Sequence, residues 1–250
     1  MQILKLGGSV VTKKHGYMEA EEENIERLAK VIGAYWSRKK DLILVHGAGS
    51  FGHPSVIMHG INKGVKTPKD KMGYSETHCA CSYLSVIIVN HLIAHNVPAI
   101  SIPPAVIIEQ KNKRIVKFNE KIVFEYLKKG YLPVLYGDIV PDTKLGGSVC
   151  SGDQIVTYLG KKAKRVIFGS DVDGVMINGE LLEEVTKKNI KDIRKHLKNS
   201  KALDVTGGMA GKVEEIMKIR KPAILVNATK PKRVEEALYE KKTLGTEIKA

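Results

Sequence analysis

His46-Gly47-Ala48-Gly49-Ser50-Phe51-Gly52-His53 follows directly on Leu42-Ile43-Leu44-Val45, an apolar run with the length and composition of a buried strand. Three glycines within six residues at the end of such a strand bring bare backbone N–H groups close to one point. Glycine has no Cβ to hold a ligand off, so the arrangement suits an anion, phosphate above all. His53 closes the stretch and sets a titratable donor beside the cradle.

Upstream, Gln2 to Leu6 reads as a buried strand running into a second glycine turn, Gly7-Gly8-Ser9. Lys5 lies within that strand, and a lysine in a buried run needs an anionic partner. Glu19 to Arg38 carries Ile25, Leu28, Ala29, Ile32, Tyr35 and Trp36 near helical spacing, with charges between, and predicts an amphipathic helix. Strand, glycine turn, helix and strand in that order point to a parallel α/β sheet.

Downstream, Asn62 to Lys71 is polar, lysine-rich and interrupted by Pro68, and reads as a loop. Tyr74 to Asn96 predicts a long helix, and Pro98 to Ile102 and Leu132 to Tyr136 predict strands, the second ending at Gly137-Asp138. Leu145 to Ser148 reads as a turn, and Ser151-Gly152-Asp153 opens a helix to about Lys164. A strand from Arg165 to Gly169 ends in Asp171-Val172-Asp173-Gly174, and Thr206-Gly207-Gly208-Met209 leads into a helix bearing Lys212. Gly245 to Ile248 predicts a final edge strand. With no linker or composition shift, the expectation is one domain, with lobes over 1–164 and 165–250.

The 250 residues suffice for a full core, and 43% hydrophobic with 27% charged residues is ordinary for a soluble globular chain. The formal net charge of +14 favours anionic partners. The basic residues are dispersed as surface pairs without interleaved aromatics, which argues against a nucleic-acid platform. Three cysteines without framework spacing argue against disulfides or a zinc site. The chain enters a strand at once, and the apolar stretch Leu84 to Val97 is too short to span a bilayer, so a cytoplasmic protein without membrane association is expected.

Gly47, Gly49 and Gly52 also match G-x-G-x-x-G, but the acidic residue wanted some 20 positions on would be Asp70, inside the lysine-rich loop. Thr206 to Lys212 falls short of a P-loop: four residues separate Gly207 from Lys212, and Val213 stands where a Mg²⁺-binding hydroxyl belongs. It is still a glycine turn before a helical lysine, which suits an anion. Asp171-Val172-Asp173-Gly174 lacks the third acid of a calcium loop, and no residues spell a metal-ligand set.

Taken in order, Lys5 to Ser9, His46 to His53, Gly137-Asp138, Ser151 to Asp153, Asp171 to Gly174 and Thr206 to Lys212 resemble the motifs of the amino acid kinase superfamily over nearly the whole chain. His53 in Gly-Ser-Phe-Gly-His-Pro is similar to the histidine of its archaeal-type isopentenyl phosphate kinase branch, and fosfomycin kinases share a similar one. The resemblance implies an α/β fold, an open, mainly parallel sheet between helix layers, and a homodimer. It implies an enzyme that moves the γ-phosphoryl of ATP, with Mg²⁺, onto isopentenyl phosphate. Carried over by motif, Lys5 and Lys212 clamp the transferring group, Gly7, Gly8 and Ser9 hold ATP phosphates, and Gly49 lies between the substrates. Gly47, Ala48, Gly152 and His53 hold the acceptor phosphate, Lys14 (or its neighbour Lys13) supplies a transition-state lysine, and Asp153 orients the lysines. Asp171, Asp173, Gly207 and Gly208 fall on the nucleotide side, and Tyr74 and His78 on the acceptor wall. A kinase for fosfomycin or another small phosphate or phosphonate, and a non-catalytic nucleotide-binding regulatory module of the same fold, are the alternatives.

Overall fold

The computed structural model describes residues 1–198 and 208–249. The strands are β1 (Gln2–Leu6), β2 (Leu42–His46), β3 (Ala99–Ser101), β4 (Ile108–Lys111), β5 (Arg114–Phe118), β6 (Leu132–Tyr136), β7 (Asp138–Asp142), β8 (Gly146–Cys150), β9 (Arg165–Ser170), β10 (Met176–Ile177), β11 (Glu180–Leu181), β12 (Glu184–Thr186), β13 (Ala223–Asn227) and β14 (Gly245–Lys249). The helices are α1 (Gly8–Val11), α2 (Glu22–Lys39), α3 (Gly49–Met58), α4 (Pro68–Ala94), α5 (Pro104–Ile107), α6 (Glu120–Lys128), α7 (Gly152–Gly160), α8 (Ile190–Lys198), α9 (Gly208–Met217) and α10 (Pro231–Leu238).

Eight strands form one sheet in the order β12-β14-β13-β9-β1-β2-β6-β3, and β5-β4-β7-β8 form a second. Six neighbours from β13 to β3 run parallel, and only β14 and β12 reverse. Strict alternation sends Leu4, Leu42, Leu44, Val134, Ile167 and Ile224 to one face, where α2, α4 and α10 cover them. Ile3, Ile43, Val45, Leu135, Val166 and Phe168 pack on the other, against α6, α7 and α9. Both faces are thus dry, and the strands read as continuous apolar runs rather than alternating ones.

Four expectations need correction. The cradle is only Gly47-Ala48; from Gly49 the chain is already α3, so the donors there are a helix N-terminus rather than a loop. The polar stretch before Tyr74 contains the start of α4: Thr67 Oγ1 accepts from Asp70 N at 3.2 Å, Asp70 Oδ2 accepts from Thr67 N at 2.8 Å, and Pro68 sits in the first turn, where its missing N–H costs nothing. Gly146 to Ser148 belong to β8, which pairs antiparallel with β7. β14 lies inside the sheet between β13 and β12, so the edge is β12.

The early start makes α4 27 residues long, with an 18-residue window of mean hydropathy 1.4, enough by length and composition to cross a bilayer. In the fold its Leu84, Ile88 and Leu92 instead pack on the sheet with α2.

Candidate active site

Alternation along β1 puts Lys5 on the same face as Ile3, beneath the start of α7. Its Nζ lies 3.0 Å from Asp153 Oδ1, and both side chains are largely shielded, 7% and 17% exposed. Burial alone would raise the Asp153 carboxyl, but Lys5 and Lys212 outweigh it and hold the group below its usual range. Lys212, in the second turn of α9, donates to Ser170 Oγ at 3.2 Å, and Ser170 Oγ in turn donates to Asp171 Oδ1 at 3.3 Å. Two lysines separated by 207 positions (212 − 5) thus bracket one carboxylate at the C-terminal end of the parallel strands, where open α/β sheets bind ligands.

The two glycine turns meet backbone to backbone at Gly8 and Gly47. A Cβ on Gly8 would lie 2.6 Å from Gly49 N, and one on Gly47 would lie 2.5 Å from Gly8 N. Gly49 has φ +48°, a left-handed conformation that favours glycine. Thr12 ties the turns together, its Oγ1 donating to Gly8 O at 2.9 Å and accepting from Ser50 N at 3.0 Å. Beside this seam, a Cβ on Gly137 would lie 3.4 Å from Gly152 N and 3.5 Å from Ala48 N. Gly137 therefore lies beside the nitrogens of Ala48, before α3, and Gly152, and Gly152 N, opening α7, has no carbonyl within its helix to bond. Free backbone amides at a helix N-terminus suit an anion.

His53 lies partly buried in α3, one turn past the cradle. Gly7, Gly8 and Ser9 lie at the end of β1 and the start of α1, beside Gly47 and Gly49. Lys13 is engaged by Glu19 at 3.3 Å, while Lys14 is exposed on the same segment and makes no ion pair among the described residues. On α4, Tyr74 Oη donates to Ile139 O at 3.2 Å, and His78 Nδ1 lies 2.9 Å from Asp138 Oδ2. Asp173 is held by Asn227 Nδ2, at the end of β13, at 2.7 Å and by Arg233 of α10 at 2.6 Å, which pull its carboxyl down to about 2. Gly208 opens α9, and Gly207 lies outside the described residues.

Three site elements carried no role in the sequence reading: Gly137, Ser170 and the Asp138 carboxylate. The signal for the first and last was present as Gly137-Asp138 at the end of a strand. Nothing in the sequence couples Ser170 to Lys212.

A family model described as the amino acid kinase family matches residues 1–224. The chain belongs to the amino acid kinase family. Among amino acid kinases it is similar to isopentenyl phosphate kinase of Methanocaldococcus jannaschii, 36% identical over 99% of this chain and 98% of that protein. A solved isopentenyl phosphate kinase structure superposes with a TM-score of 0.85 at 31% identity, covering 99% of each chain. The product complex of the Thermoplasma acidophilum isopentenyl phosphate kinase superposes with a TM-score of 0.80 at 26% identity, over the full length of both. The fold expected from the motifs is the fold observed.

Proposed function

We propose that this protein is an isopentenyl phosphate kinase, transferring the γ-phosphoryl of ATP to isopentenyl phosphate to give the diphosphate. The observation that carries the reading is the meeting of two features at one place: the Lys5–Asp153 pair with Lys212 acting on the same carboxylate, and, one residue before Asp153, the Gly152 nitrogen beside Gly137 and Ala48. A phosphate monoester has a second pKa near 6 and is largely dianionic at neutral pH, so the acceptor needs no general base. Catalysis then consists of holding two mutually repelling anions in line and neutralising charge as it spreads.

In this reading Lys5 and Lys212 meet the transferring group, and Asp153 keeps both ammonium groups aimed. Gly7, Gly8 and Ser9 serve the ATP phosphates, with Asp171 and Gly208 on the nucleotide side. Asp173 takes the supporting role of anchoring α10. Gly47, Ala48, Gly152 and His53 serve the acceptor, and Lys14, uncommitted where Lys13 is paired, is the lysine free to reach the transition state. Residues 1–164 form the acceptor lobe and 165–250 the nucleotide lobe. Mg²⁺, where bound, would come with ATP and would supply charge neutralisation at its phosphates. The enzyme is assigned to the cytoplasm.

The homodimer is supported by α4. Met72, Cys79, Tyr83, Val86 and Ile93 fall on one exposed stripe spaced by sevens, fours and threes, as in a helix–helix seam. Val86→Glu should convert a dimer to a monomer in light scattering; an unchanged mass would remove α4 as the interface.

An assay with ATP and Mg²⁺ comparing isopentenyl phosphate, fosfomycin and a panel of amino acids tests the reaction. Preferred turnover of isopentenyl phosphate is expected. The polar His78–Asp138 and Ser82–Tyr136 pairs on the acceptor wall favour a small phosphonate as the second reading, which preference for fosfomycin would establish.

A further inference from the structure

Asp138 is a carboxylate buried to 2% exposure, at the N-terminal end of β7, directly after Gly137, which lies beside the Ala48 and Gly152 nitrogens. Its Oδ1 accepts from Ile139 N at 2.8 Å, and its only side-chain partner among the described residues is His78, whose Nδ1 lies 3.1 Å from Oδ1 and 2.9 Å from Oδ2. His78 in turn is about one-third exposed, so its ring passes from a dry floor to open space. One turn on along α4, Cys81 Sγ would meet a Cβ placed on Gly52, in the first turn of α3, at 3.1 Å; that same Cβ would lie 2.6 Å from the Cβ of Ala48. Ala48, Gly52 and Cys81 are thus neighbours across α3 and α4, His78 lies one turn from Cys81, and the Asp138 that it bonds follows Gly137, which lies beside the Ala48 nitrogen.

We propose that Asp138 is a positioning residue for the acceptor: it fixes His78 through Nδ1 so that Nε2 serves the acceptor phosphate as a second histidine donor beside His53. The inference rests on the acceptor reading of the Ala48–Gly152 amides. A histidine that donates to a phosphate must keep its second proton, and the geometry provides for that. The Asp138 hydrogen bond raises His78, against a smaller opposing effect of burial. Burial likewise raises Asp138 itself, with His78 opposing. The other titratable groups facing Asp138 are Tyr74 and Cys81 from α4, Tyr136 from β6 and Cys150 from β8, all pushed upward by burial and hence neutral at physiological pH. His78 is thus the group here that the Asp138 carboxylate keeps protonated to higher pH than an ordinary histidine.

The test is calorimetric binding of isopentenyl phosphate from pH 5.5 to 9, with steady-state kinetics alongside, for the unmodified protein, Asp138→Asn and His78→Gln. The sign follows from the raised His78: tight binding is present at low pH and weakens as pH rises through the His78 pKa. Asp138→Asn should move that inflection to lower pH and weaken acceptor binding at pH 7.5 by roughly tenfold, the equivalent of one pKa unit. The ATP KM and the melting temperature in the presence of ATP should change little. The acceptor's own second ionisation is common to all three proteins and cancels in the ratio. Should Asn at 138 block folding, His78→Gln carries the test, because its site is partly open and the amide preserves a donor to Asp138; its profile should lose the inflection. A profile superimposable on that of the unmodified protein in either folded variant overturns the proposal. Binding with the expected shift but without phosphorylation would support the dyad while refuting the kinase reading, and absence of binding at every pH would overturn both.

Discussion

Replacing Asp153 with Asn isolates what one carboxylate does for two lysines. At the observed 3.0 Å, and with an effective dielectric near 20, its attraction for Lys5 is about 5–6 kcal/mol before solvation is counted. Withdrawal of both ions from water offsets most of that, so the intact pair contributes little net stability. Asn removes the attraction and leaves the Lys5 ammonium buried, 7% exposed, against a neutral amide. The expected cost is about 3–5 kcal/mol in urea unfolding, the range for breaking a buried pair from one side. Turnover should fall about 10²- to 10³-fold, as for loss of a preorganised donor, because neither Lys5 nor Lys212 is then held on line. The double variant Lys5→Met/Asp153→Leu separates the two effects. It should recover most of the lost stability, since no charge is left stranded, and stay as inactive as the single variant or more so. Asp153→Asn losing less than about 1 kcal/mol, or a double variant that turns over normally, would refute the reasoning.

Gly47→Ala would drive a methyl to within 2.5 Å of Gly8 N, so the turns must separate; we expect about 1–3 kcal/mol of destabilisation and higher KM values for both substrates, and unchanged kinetics would disprove the backbone contact. His53→Ala should raise the acceptor KM roughly 10- to 100-fold, the scale of a hydrogen bond to a charged group, with the ATP KM nearly constant; a parallel loss of ATP affinity would put His53 on the other substrate. Burial, with Lys5 adding, pushes His46 down to about 4, whereas an unfolded histidine titrates near 6.5. The unfolded chain therefore takes up a proton that the folded one refuses, and stability should fall by about 3 kcal/mol as pH drops through that window. His46→Gln should flatten that slope in urea titrations, and an identical slope would place the pH dependence elsewhere.

The glycine turns, the parallel strands and the lysine within β1 were legible because each is a local signal: a run of apolar residues, then residues without Cβ. The start of α4 was obscured because Thr67 and Asp70 satisfy one another in a capping box, while composition alone makes the segment polar. β8 was obscured because its glycines read as a turn until β7 is there to pair with them. The interior position of β14 depends on β12, whose three residues carry almost no signal of their own. At the site, motif order named Lys5, Asp153 and Lys212, but not that Asp173 would be claimed by Arg233 or that Asp138 would find His78. Those pairings span 60 positions each (233 − 173 and 138 − 78), and only the folded chain closes them.

The contact between Gly8 and Gly47 is a ruler graduated in backbone. No side chain enters it, so any added carbon forces the turns apart; in the proposed reading the gap between donor and acceptor phosphates then has no small steps open to substitution. Variation in what the enzyme accepts must therefore be written elsewhere, on the α4 wall and the strands facing it. An engineer could redraw that wall for a longer or more polar acceptor and leave the reaction distance untouched.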